Sequence, residues 1–181
     1  RSSQLRSAPC GSGRGCAVAD HIDILARLGA CRDAVEWAKT QPDAATAWAT
    51  CERGDWMLWI AGRMSGEHGS DARRPLTLAA CECARLALPR VKAGEIRPMR
   101  AIEAAEDWAR GGPTTLAKVR KASADSAAAY AVYAAAYAVY AAAYAAADSA
   151  AADSARSSTL KACANIVRKH YPKPPKENVH E

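Results

Sequence analysis

The chain has 181 residues, a formal charge of +6 and a hydrophobic fraction of 50%, but alanine alone makes up about a quarter of it and Phe is absent. Alanine is the best helix former and has little surface to bury. With 11 Gly, 9 Pro and 24% charged residues, the composition excludes a β-sandwich or barrel, a collagen-like chain and a charge-driven disordered one. The charge lies at the ends, about +2 over residues 1–20 and about +4 over 156–181. The segment between is formally neutral, whereas a nucleic-acid binder carries a basic face on its fold.

Residues 1–17 are rich in Ser, Gly and Arg without an apolar period and read as a flexible leader. A first helix is predicted over 19–29, ending at Gly29, and a second over 31–40 with Cys31, Ala34, Val35 and Ala38 on one face. Pro42 is predicted in the first turn of a third helix, where Ala44, Ala47, Trp48 and Cys51 keep helical spacing. Gly54 is expected to end that helix with a positive φ, and Asp55 to cap the next. The fourth helix, 55–65, is expected to turn Trp56, Trp59, Ile60 and Met64 inward, with Trp56 or Trp59 as its core anchor.

After a polar loop over 66–74, Pro75 starts a fifth helix with Leu76, Ala79, Ala80, Cys83 and Ala87 on one face, and Pro89 ends it. A loop over 90–98 precedes a sixth helix with Ile102, Ala105 and Ala109 inward. Gly111-Gly112-Pro113 breaks the chain, and Thr114 or Thr115 caps the next element. From 115 to 170 nearly every residue favours helix, and a heptad repeat places Tyr130, Tyr133, Tyr137, Tyr140 and Tyr144 at alternating steps of three and four. One helix from 115 to 152 would be about 57 Å long, against about 40 Å for a compact fold of this length, so it must break or protrude. A last helix over 156–170 turns Leu160, Cys163, Ala164 and Val167 to one side. Residues 172–181 read as a disordered tail. The expected architecture is an all-α orthogonal bundle, one helical domain over 18–171 with a long Ala/Tyr-rich helix.

The stretch 126–147 is uncharged and long enough to span a bilayer. Its bulk is Ala and Tyr, however, and Tyr belongs at the membrane interface, so no span is expected. The seven cysteines have irregular spacing and read as reduced thiols of a cytoplasmic protein used as small core residues. Cys81-Glu-Cys83 lacks the spacing of a metal knuckle, and neither a metal nor a cofactor is expected. No P-loop, G-x-S-x-G or H-E-x-x-H is present. Glu103, Glu106 and Asp107 read as a solvated helix face. The tryptophans read as space-fillers between Ala-rich helices. The Tyr stripe has two readings, a seam at the edge of the bundle or a partner-binding surface.

The runs ACRDAVEWAKTQPDAATAWATCERGDWMLWIAGRM (30–64), RRPLTLAACECARLALP (73–89), RPMRAIEAAEDWARGG (97–112) and SSTLKACANIVRKHYP (157–172) occur in that order, with the Tyr/Ala repeat before the last. Together they resemble the all-helical immunity proteins of bacterial polymorphic toxin systems. That family is marked by Trp residues and a Gly-Asp motif, here Gly54, Asp55 and Trp56, with Trp59 one turn on. The resemblance implies a cytoplasmic, non-catalytic monomer or homodimer that binds and neutralises a cognate toxin or effector protein, with no nucleic acid or membrane as partner. The chain lacks the acidic charge that would mask a basic nuclease. The alternative is a small helical enzyme acting on a nucleotide or another small molecule. An enzyme needs a pocket with converging polar groups; a binder needs a surface with an aromatic centre.

Overall fold

The computed structural model describes residues 15–67, 69–126 and 149–176, all of them helical or in turns and connections, with no strand among them. The helices are α1 (Gly15–Leu28), α2 (Arg32–Lys39), α3 (Ala44–Thr50), α4 (Gly54–Met64), α5 (Arg74–Arg85), α6 (Arg97–Ala109), α7 (described over 116–126) and α8 (Ser149–His170). No helix among the described residues is long and apolar enough to cross a membrane. Packing divides the chain into two compact units, the first ending at Ala47 and the second beginning at Trp48.

In the first unit α1 packs on α2. Gly29, at φ +80°, ends α1 in the left-handed conformation that glycine allows without strain. The Gly29 N–H donates to the Ala26 carbonyl and the Ala30 N–H to that of Leu25, the paired bonds of a Schellman ending. Ala34 and Ala38 are the buried positions of α2, while Cys31 is exposed. The buried His21 ring donates from Nε2 to the Ala38 carbonyl (3.3 Å). Pro42 lies outside α3. Asp43 caps that helix instead, its Oδ1 accepting the Thr46 N–H at 2.7 Å.

In the second unit α5 packs against α6 and α8, and α4 against α8 and α5. Several of the fully buried positions at these contacts are small: Ala61 on α4, Ala79 on α5 and Ala164 on α8 are each 0% exposed. An alanine-rich sequence can bury its helices only by bringing backbones close, because it has few large side chains to interdigitate. Met57 and Val167 supply the bulk that the alanines lack. On α5 the inward residues are Ala79 and Cys81; Ala80 and Ala87, expected on that face, are exposed. That helix stops at Arg85, before Pro89, which lies in a short 3-10 turn, Leu88–Arg90. Pro75 and Pro98 each stand in a first helical turn, where a missing N–H costs nothing. Thr115 caps α7, its hydroxyl accepting the Lys118 N–H at 3.4 Å.

The end of α8 is tied to the ends of α3 and α4. Arg168 donates to the carbonyls of Trp48 (3.1 Å) and Cys51 (2.8 Å), groups that α3 leaves unpaired. The buried Trp48 donates from Nε1 to the Tyr171 carbonyl at 2.8 Å. The Tyr171 hydroxyl lies 3.2 Å from Ser65 Oγ.

Candidate functional site

Gly54 does not take the left-handed conformation expected of it. It is the first residue of α4 and is buried. The residue before it, Arg53, occupies the cap position, and its carbonyl accepts the Met57 N–H at 3.1 Å. Asp55 therefore stands inside the first turn and not at the cap. The reason for a glycine here is space. A Cβ on Gly54 would lie 2.6 Å from the Ala164 backbone nitrogen and closer still to Cys163 Cβ. The start of α4 rests directly on the backbone of α8.

That contact fixes which way α4 turns. Gly54, Met57, Ala61 and Met64 face inward. Trp56, Trp59 and Arg63 follow at i, i+3 and i+7 and fall on the opposite side. The expected inward face is therefore rotated by more than a quarter turn. Trp59 is 37% exposed and Trp56 half-buried, so neither is the anchor of the core. With Gly54 seated against α8, the helical period carries Trp56 and Trp59 away from that contact.

On the outside the two rings are held by cations. The Arg53 guanidinium lies 4.1 Å from the Trp56 ring centroid, and that of Arg63 lies 5.8 Å from the Trp59 ring, both within range of an attraction to the ring face. Arg53 also grips Asp55 through two hydrogen bonds, Nε to Oδ1 at 2.9 Å and a terminal nitrogen to Oδ2 at 2.6 Å. Those bonds hold the Asp55 carboxyl below the usual carboxylate range. Arg53 thus bridges Asp55 and the Trp56 ring, and Arg63 lies against Trp59 farther along the helix.

The remaining candidates separate. Tyr130, Tyr133, Tyr137, Tyr140 and Tyr144 lie outside the described residues. Of the three acids read as a solvated face, Glu103 is exposed, but Glu106 is buried, at 7% exposure. Arg85 meets its carboxylate with two bonds, 2.8 and 3.0 Å, and Arg110 adds a third at 3.2 Å. Arg85 reaches Glu106 from another helix, which the spacing of acids on α6 does not disclose. Asp107 accepts the Thr114 N–H at 2.9 Å and so closes the break after α6.

In the Cys81-Glu82-Cys83 run the three side chains part. The buried Cys81 thiol donates to the Ile102 carbonyl at 3.8 Å, and burial pushes its pKa up to about 11. Glu82 takes Lys169 Nζ at 3.2 Å and His170 Nε2 at 2.9 Å, contacts that hold it below its ordinary range. Cys83 faces Cys163 on α8. Among the described residues no group of three or more His, Cys, Asp or Glu is placed to hold a metal ion.

Comparison with known protein families, with characterised proteins and with solved structures finds no match to this chain.

Proposed function

We propose that this chain is an immunity-type binding protein that occupies and neutralises a cognate bacterial toxin or effector protein without catalysis, and that the outer face of α4 carries the contact. The observation behind this reading is the placement of Trp56 and Trp59. The chain has five tryptophans and no Phe, its described core is filled largely by Ala, Cys and Met, and yet two tryptophans stand on the outer side of one helix. Trp and Arg are the side chains that most often dominate binding energy at protein interfaces. Rings already fixed by neighbouring guanidinium groups lose little further freedom when a partner covers them. The Asp55–Arg53 pair supplies a polar rim beside this aromatic centre. The order of the sequence blocks and the all-helical fold fit the same reading.

The test looks beside this gene for a secreted protein with a C-terminal toxin domain and induces that domain in bacteria with and without the chain. The parent chain restores growth and binds the purified domain. Trp59→Ala and Arg63→Ala leave the fold intact and weaken binding by about 10-fold or more, the scale of a hot-spot loss. A parent chain that gives no protection refutes the immunity reading. A double variant that binds as tightly as the parent refutes the assignment of the contact to α4.

A further inference from the structure

We infer that Cys83 on α5 and Cys163 on α8 form a redox modification site, a thiol pair that a low-molecular-weight disulfide such as oxidised glutathione converts into a bond between the two helices. The Cys83 thiol donates to the carbonyl oxygen of Cys163 itself, with Sγ 3.8 Å from that oxygen. The Cys83 thiol also meets the Cys163 side chain, and that contact adds to the desolvation that raises the Cys83 pKa. They are 80 residues apart in sequence and are brought together by the packing of α5 on α8. Both are half-buried rather than sealed, unlike Cys51 and Cys81, so a small oxidant can reach them. The Cβ of Cys163 is also the atom nearest to where a side chain on Gly54 would sit. A bond at this position is therefore made beside the seat of α4.

The chemistry proceeds by exchange. Desolvation raises the Cys83 pKa to about 12, so Cys83 stays protonated and Cys163 attacks first. The Cys163 sulfur, its proton passing to solvent, displaces one glutathione from the oxidised dimer and forms a mixed disulfide. Cys83 then gives up its proton to solvent, and its sulfur attacks the Cys163 sulfur and expels the second glutathione. Two protein thiols and one glutathione disulfide become one protein disulfide and two glutathione thiols, with two electrons passing to glutathione.

The full chain is equilibrated in glutathione buffers from reducing to oxidising, blocked with an alkylating agent and mapped by peptide mass. The expected result is a linked peptide pair containing Cys83 and Cys163, lighter by two hydrogens, reversed by dithiothreitol. The linked protein melts about 10–15 °C higher than the reduced one, as expected for closing so long a loop. Cys83→Ser and Cys163→Ser each remove both the linked pair and the rise in melting temperature. Alkylation of both residues in the folded parent chain under fully oxidising conditions overturns the inference, and so does a linked protein that melts no higher than the reduced form. The mapping is done on the parent chain and does not depend on either variant folding.

Discussion

Gly54→Ala adds one methyl group at the point where α4 meets α8, and the geometry leaves no room for it. The new carbon would sit 2.6 Å from the Ala164 nitrogen, 2.7 Å from the Cys163 carbonyl carbon and closest of all to Cys163 Cβ. Carbon atoms pack at about 3.5–4.0 Å, so the helices must part by about 1 Å or more. Two of the three obstructing atoms are backbone and cannot rotate away. Overpacking of this kind costs about 1–3 kcal/mol, and the parting also loosens Ala164 and Val167, both 0% exposed. The gain in helix propensity from Gly to Ala is at most about 1 kcal/mol. The expected net loss is therefore about 1–2 kcal/mol, or a fall in melting temperature of about 2–8 °C.

Gly62→Ala, on the same helix, is the control. Its Cβ would meet only Leu76 Cδ2 at 3.8 Å, an ordinary contact. The propensity term then stands alone, and this variant is neutral or more stable by up to about 1 kcal/mol. Thermal unfolding followed by circular dichroism separates the two variants. If Gly54→Ala melts at or above Gly62→Ala, the close approach of α4 to α8 is refuted.

The same packing predicts that Met57→Ala, which empties a position only 2% exposed, loses about 2–5 kcal/mol in urea unfolding, while Trp59→Ala loses under about 1 kcal/mol; the reverse order would return Trp59 to the core. Arg168→Ala, which leaves the Trp48 and Cys51 carbonyls without their donor, costs about 1–3 kcal/mol, and Arg168→Lys recovers less than half of it, because a single ammonium cannot copy the planar fork; equal stability of all three proteins would refute the capping role. Hydrogen bonds from Arg85 hold Glu106 below its ordinary value of 4.5, so its contribution to stability is complete above that pH and is lost as the pH falls through the lower folded-state value. Glu106→Gln should therefore lower stability by about 2 kcal/mol at neutral pH and flatten the acid limb of a stability–pH curve; an unchanged acid limb would refute the pairing.

What the sequence discloses here, and what it conceals, divides along a physical line. Signals that act within one turn of chain are legible. Gly29 ends α1, Pro75 opens α5, Thr115 caps α7, and Ala164 and Val167 line the inner side of α8, because each depends on neighbours a few residues away. Asp43 is a local signal too, but Pro42 beside it offers a competing helix start, and only the bond from the Thr46 N–H decides between them. The features that stay hidden are those a distant segment imposes. Glu106 looks like a solvated acid until Arg85 arrives from α5. The facing of α4 is concealed for the same reason, since hydrophobicity alone ranks Trp56 and Trp59 as the inward residues. The deciding quantity is the clearance between two backbones, which no residue of α4 encodes by itself. Gly54 is the residue that tolerates that clearance, and its meaning changes with its partner: beside α3 alone it reads as a helix stop, but against Cys163 it is a contact surface. Once α4 is fixed by that contact, the outward position of its tryptophans is set by helical geometry alone. The same glycine that closes the core thus presents Trp56 and Trp59 on the surface.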